Sequence, residues 1–149
     1  MKVLLQRVTE ASVSIAGKPV GQINRGLVAF VGVAAGDSAQ DAQYLARKTA
    51  QMRIFADDAG KFNISALDNA AEVLVVSQFT LLADTRKGRR PSFIAAAPPP
   101  QAEELVEIYT SALKATGLKV ATGRFQQHML VEIHNDGPVT ILLDSRDKL

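Results

Sequence analysis

His134-Asn135-Asp136-Gly137-Pro138-Val139-Thr140 interrupts the strongest β pattern in the chain, and its reading decides how the C-terminal half folds. Before it, Met129, Val131 and Ile133 alternate with Leu130, Glu132 and His134; after it come Val139, Ile141, Leu142 and Leu143. A proline inside such a run has no N–H to give a ladder, so it marks an edge, a bulge or a tight turn. Two readings stand. In one, Asn-Asp-Gly-Pro is a turn between two strands. In the other, the Gly137-Pro138 peptide holds backbone carbonyls where something is recognised, because glycine lets a ligand approach main chain and proline fixes what it meets.

The surrounding chain has 149 residues, the length of a single domain spanning 1–149, and its 47% hydrophobic content is ample for a core. No apolar run is long enough for a membrane span, and Met1 to Arg7 is too short and too soon charged for a signal peptide. The absence of cysteine excludes disulfides and thiolate chemistry and fits a cytoplasmic protein. Net charge is only +2, yet Arg86, Lys87, Arg89 and Arg90 fall in one short segment. By itself such a cluster reads as a solvated loop; phosphate binding is the alternative.

Leu4–Val8 and Ala11–Ile15 read as strands, and Gly17-Lys18-Pro19 turns the chain into Val20–Ile23. Leu27–Val33 is apolar on both faces, as expected of a central strand. Gly32 to Asp37 fits neither the dinucleotide fingerprint nor the lysine-bearing phosphate loop. Asp37 or Ser38, with Asp41, caps a helix whose buried positions are Ala42, Leu45, Ala46, Thr49 and Met52. Arg53–Phe55 leads into a strand, and Asp57–Lys61 is a turn that lacks the spacing of a calcium loop. Glu72–Val76 is a second buried strand, running directly into Ser77-Gln78-Phe79-Thr80-Leu81. Pro98, Pro99 and Pro100 lead into a helix over Gln101–Thr116, ended by Gly117. Leu118–Ala121, Gln127–Ile133 and Val139–Leu143 complete a strand-rich half, and 144–149 reads as a fraying tail. This order predicts an α+β domain, two helices covering a large mixed sheet or pair of sheets.

Conventional catalytic machinery is scarce. His128 and His134 have no partner at metal-ligand spacing, so neither a metal nor any other cofactor is expected. Ser77 or Thr80 offers a hydroxyl, but no Gly-x-Ser-x-Gly elbow surrounds Ser77 and no base is evident beside either. Asp57 and Asp58 sit in a turn, and Glu103, Glu104 and Glu107 fit a solvated helix face. Hydroxyls, an amide and main chain are what remain.

Ser77-Gln78-Phe79-Thr80-Leu81 and Asn135-Asp136-Gly137-Pro138-Val139-Thr140, in that order, resemble the paired motifs of the D-aminoacyl-tRNA deacylases, also called D-tyrosyl-tRNA deacylases. The likeness extends over nearly the whole chain, through Leu5-Gln6-Arg7-Val8, Ala11-Ser12-Val13, Arg53-Ile54-Phe55, Arg90-Pro91-Ser92-Phe93 and Gly123-Arg124-Phe125 ahead of Met129. It departs at Gln126-Gln127-His128, where many members carry smaller residues. The resemblance implies a compact β-rich fold of sandwich- or barrel-like sheets under two main helices, and a homodimer with each active site at the subunit interface. It implies hydrolysis of a D-amino acid esterified to the 3′-terminal adenosine of tRNA, with glycine on tRNA (tRNA-Ala among them) also accepted. L-forms are rejected by a cis Gly137-Pro138 peptide inserted from one subunit into the other's site, held by Arg7 and flanked by Met129. Ser77, Gln78, Phe79 and Thr80 form the other wall, with the Gln78 amide and Phe79 N–H polarising the ester carbonyl. Thr80 is either a nucleophile or a bystander to the substrate's own 2′-hydroxyl. Arg86, Lys87, Arg89, Arg90, Ser92 and Phe93 then meet tRNA. Against this stand a noncatalytic RNA-binding module and a small-molecule acyl hydrolase using Thr80 or Ser77.

Overall fold

The computed structural model describes residues 1–147. One strand, β1 (Lys2–Ile15), organises the sheet. Its second half pairs antiparallel with β2 (Lys18–Ile23) and its first half with β3 (Gly26–Gly32), which continues in parallel to β6 (Glu72–Ser77) and β7 (Val120–Thr122). Along the other edge of β1 runs β8 (Leu130–Asp144). At Gly21 in β2 an added Cβ would lie 2.7 Å from the Thr122 carbonyl oxygen of β7. The sheet therefore curls until its ends nearly meet, a barrel-like closure. A separate ribbon, β4 (Phe55–Ala56) with β5 (Phe62–Ile64), completes the strands.

The barrel-like curl creates two cores. Val8, Ala11, Val13, Ile23, Val28, Leu74 and Val76 fill its interior. Alternate residues of the same strands, among them Leu27, Ala29, Val31, Val73 and Val75, face the helices α1 (Ala39–Gln51) and α2 (Pro99–Ala115). β3 and β6 are apolar at successive positions because side chains alternate across a strand and both faces are covered.

Ser38 caps α1 through a capping box with Asp41, as its sequence predicts. α2 begins two residues earlier than expected: Pro99 and Pro100 lie inside its first turn, where their missing N–H groups have no helical acceptor in any case. Between the helices, Thr49 Oγ1 and Tyr109 Oη meet at 2.7 Å in a fully buried hydrogen bond, and burial pushes the Tyr109 hydroxyl well above its ordinary pKa. Tyr109→Phe would strand the Thr49 hydroxyl, and a stability loss of about 1–2 kcal/mol is expected in chemical denaturation.

Several boundaries differ from the sequence reading. The two N-terminal strands are the single β1, because irregular register between Gln6 and Ala11 bends it without breaking it. The strand into which Arg53–Phe55 leads is short, Phe55–Ala56; β7 starts at Val120 rather than Leu118, and β8 starts at Leu130 rather than Gln127. The tail does not simply fray: Ser145 is buried, and its Oγ accepts from the Met1 amino group at 2.8 Å. Residues 148–149 of that expectation lie outside the described ones. Among the described residues no helix is long and apolar enough to cross a membrane.

Candidate functional site

The Asn135–Thr140 stretch is neither the end of one strand nor the start of another. Pairing between β1 and β8 resumes on either side of it, at Val8↔Asn135 and at Gln6↔Thr140, with the intervening residues bulged out of register. Asn135 closes the base of this bulge. Its Nδ2 donates to the carbonyls of Arg7 at 2.9 Å and of Val139 at 3.0 Å, joining both ends of the excursion to the neighbouring strand. At the tip, the Gly137–Pro138 peptide is cis and Gly137 has φ +122°. Gly137 and Pro138 are both exposed there.

Arg7 fixes the bulge from below. Its Nε donates to the Asp136 carbonyl at 3.2 Å and lies 3.3 Å from the Asp136 carboxylate, while Nη1 donates to the Ile54 carbonyl at 2.8 Å. The Phe62 ring covers the guanidinium at 5.5 Å. Planar delocalised charge suits this combination of ring contact and forked donation, which a lysine would not reproduce. His134 turns out to be a surface residue, its Nδ1 3.2 Å from Glu10 Oε1.

The second motif follows the end of its buried strand, as expected: β6 ends at Ser77, and Phe79–Leu82 forms a 3-10 turn. The Gln78 N–H still donates to the Val31 carbonyl at 2.8 Å, so the turn starts from a fixed point on β3. Gln78 Nε2 donates to Thr80 Oγ1. The first N–H groups of such a turn have no acceptor inside it, which leaves main-chain donors near Phe79 available to a ligand.

Ser77, Gln78 and Phe79 line an open cleft of about 540 Å³, together with Ala102 of α2 and with Phe125 and Met129 of the segment before β8. Thr80 stands at its margin and is exposed. Among the described residues His128 is the one titratable side chain lining this cleft, and it has no hydrogen-bond partner among them. Sequence reasoning overlooked Asn135 and Phe62 as supports of the bulge, and Ala102 and Phe125 as cleft wall. Only Phe125 carried a signal, through its place in Gly123-Arg124-Phe125.

The two motifs do not converge within one chain. Gly137 flanks the level of Arg7 and Leu27, whereas Ser77 pairs with Val31, four residues further along β3. That is about 13 Å along the strands, with β3 and β1 lying between β6 and β8. Met129 goes with the cleft, where its sulfur accepts from the Arg124 N–H at 3.3 Å, and not with the bulge of its own chain. The expectation that Met129 flanks Gly137-Pro138 is therefore not met inside a single subunit, because the extended strand from Leu130 to Asp136 separates them.

The basic loop is more ordered than its composition suggests. Asp84 and Ser92 exchange backbone hydrogen bonds at 2.8 and 2.9 Å, closing it at the base. Arg86 is committed to Asp84 by a forked pair at 2.9 and 2.7 Å, which holds the Asp84 carboxyl below its usual range. Among the described residues Lys87, Arg89 and Arg90 make no ion pair. Phe93 packs edge-on against Phe79, centroids 5.0 Å apart, tying this loop to the cleft.

Comparison with known proteins agrees with this architecture. A family model described as D-Tyr-tRNA(Tyr) deacylase matches residues 4–144. A D-aminoacyl-tRNA deacylase of Dehalococcoides mccartyi is 55% identical over 149 residues, covering 100% of this chain and 97% of the relative. Another, from Heliobacterium modesticaldum, is 55% identical over 146 residues, covering 98% of this chain and 97% of the relative. Among solved structures, a c-Myc DNA Unwinding Element Binding Protein superimposes with a TM-score of 0.90 at 38% identity, over 97% of this chain and 98% of the other. The structure of a probable eukaryotic D-amino acid tRNA deacylase shares the fold, with a TM-score of 0.85 at 14% identity over 95% and 97% of the two chains. Fold and relatives together define a hydrolase. The chain belongs to the D-aminoacyl-tRNA deacylase family.

Proposed function

We propose that the whole chain acts as one deacylase domain that hydrolyses the ester between a D-amino acid and the 3′-terminal adenosine of tRNA, glycine on tRNA-Ala included, and refuses L-amino acids. The single observation that carries the shared-site part of this reading is the separation of the two motifs. A rigidly braced bulge projects from the middle of β8, and an open cleft lies about four residues further along the strands without it. A second copy brings the one to the other. Among the described residues the outer edge of β8 is unpaired, with Leu130 63% and Leu142 54% exposed along it, the kind of edge that natural proteins cover.

In this assembly the Gly137 and Pro138 carbonyls face the α-amino group and crowd one side of Cα, with Met129 of the receiving cleft alongside. An L side chain collides with that wall; a D side chain or hydrogen does not. Selectivity by exclusion requires the wall to stay in place, the role of Arg7 and Asn135. Water adds to the ester carbonyl carbon, the oxyanion is met by the Gln78 amide and Phe79 N–H, and the carbon–oxygen bond to the ribose breaks with a proton passing to the 3′-oxygen. The substrate's 2′-hydroxyl assists that transfer. Ser77 holds the strand end from which the turn departs. Lys87, Arg89 and Arg90 meet tRNA phosphates, while Arg86, Ser92 and Phe93 hold the loop's shape beside the cleft. The cytoplasm, where aminoacyl-tRNA is made and used, is the site of action.

Purified protein offered D-tyrosyl-tRNA, L-tyrosyl-tRNA and free D-tyrosine ester is expected to cleave only the first rapidly and to elute as a dimer by light scattering. Equal hydrolysis of the two tRNA esters would rule out the chiral wall. Bound RNA with no hydrolysis would favour a binding module, in keeping with the nucleic-acid-binding name of the 38% identical structural relative.

A further inference from the structure

The cleft at Gln78 and Phe79 adjoins a second one. Ser77 and Phe125 line both, and beyond them opens a further hollow of about 410 Å³. One wall is a face of α2 on which Glu103, Glu107 and Lys114 recur at helical spacing. Arg124, just past β7, lines it from the sheet side. Two carboxylates and two cations in one hollow are an odd lining for a phosphate alone, which the carboxylates would repel. They suit a ligand that carries hydrogen-bond donors on one edge and an anion beside it.

Resting on the deacylase reading, the terminal adenosine and its amino acid fill the first cleft, and the nucleotide before it must leave through an open side. Mature tRNAs end in CCA, so that nucleotide is cytidine. We infer that the second hollow is a subsite for this penultimate cytidine. Its exocyclic N4 amino group donates to the α2 glutamates, the connecting phosphate lies by Arg124 and Lys114, and the Phe125 ring at the shared wall takes a base on its face. Uracil in the same place would turn its O4 acceptor toward the carboxylates, acceptor against acceptor, so the hollow prefers cytosine. Glu103 and Glu107 read from sequence as a solvated helix face; it is the neighbouring Arg124 and the shared Phe125 that give them a ligand.

D-tyrosyl esters of adenosine, of the dinucleotide CpA and of UpA separate the subsite from the reaction. The CpA ester is expected to have a kcat/KM roughly tenfold or more above the UpA ester. The double variant Glu103→Ala/Glu107→Ala abolishes that preference and leaves the adenosine ester unchanged. Arg124→Ala lowers both dinucleotide esters alike and flattens their salt dependence. Calorimetric titration with uncharged CpA and UpA reads the same preference without chemistry. Equal rates and equal affinities for the C and U forms in the unaltered protein would overturn the subsite, as would an equal loss on the adenosine ester in the glutamate variant. If no ester is cleaved while CpA still binds more tightly than UpA, the deacylase reading falls and the cytidine subsite stands.

Discussion

Gly137→Ala is expected to slow hydrolysis of D-tyrosyl-tRNA by about 100-fold or more and to narrow the gap between D and L substrates, while the protein stays folded. The reason lies at the tip of the bulge. Gly137 has φ +122°, a region that side chains of L residues rarely enter, and an added Cβ would stand 2.9 Å from both Arg7 Nη2 and Val139 Cγ2. Neither neighbour yields easily. Val139 is buried in the main core, and Arg7 is held by the Ile54 and Asp136 carbonyls under the Phe62 ring. The tip itself must move, and a displacement of about 1 Å in a positioning element is enough to cost about 100-fold in rate. Strain of this kind is worth roughly 1–3 kcal/mol, which lowers the melting temperature without unfolding a domain of this size. Gly17→Ala is the matched control: φ is +76°, yet an added Cβ meets nothing within 4 Å, so stability falls and activity does not. Single-turnover deacylation of D- and L-tyrosyl-tRNA, run beside thermal melts, measures both. Unaltered rate and selectivity in Gly137→Ala would show that the bulge is not the chiral wall.

How far that wall was legible in the sequence depends on which physical rule is local. Apolar runs covered on both faces identified β3 and β6, and capping chemistry placed Ser38 and Asp41, because these depend on residues a few positions apart. Proline's missing N–H correctly marked 138 as a break in the ladder. It could not distinguish a hairpin turn from a bulge, since that choice belongs to β1, whose pairing passes on either side of the excursion. Asn135 looked like a turn residue for the same reason. Its role as a clamp needs the Arg7 carbonyl, far away in sequence. The turn at Phe79–Leu82 is similar: it folds back over β3, where the Gln78 N–H meets the Val31 carbonyl and Gly32 leaves room for Leu81 and Leu82, contacts with a strand far away in sequence. That Met129 sits in the cleft and away from Gly137 of its own chain was equally hidden. An alternating pattern says which face a residue takes and nothing about which end of a long strand meets which neighbour.

A substrate ending in 2′-deoxyadenosine is expected to be cleaved at least about 100-fold more slowly than its ribose counterpart, whereas Thr80→Ala keeps activity within about tenfold of the unaltered protein. A threonine nucleophile needs a base to take its proton and a third group to orient that base. Thr80 Oγ1 instead accepts from the Gln78 amide, an interaction that leaves the hydroxyl oxygen occupied and offers no proton acceptor. His128 shares the cleft wall, but it is exposed and no side chain orients it among the described residues. His128→Ala is accordingly expected to remain active as well. What the cleft does supply is fixed dipoles from Gln78 and the start of the turn, and these act on an oxyanion whoever moves the proton. The nearest hydroxyl with the right placement on any 3′-ester of adenosine is the vicinal 2′-oxygen, carried in by the substrate and already held at short range. Removing it should therefore be felt far more than removing Thr80. The opposite pattern, a folded but inactive Thr80→Ala protein with a rapid burst of released tRNA in the parent and no sensitivity to the 2′-hydroxyl, would assign an acyl-threonine intermediate and make His128 the base to test next.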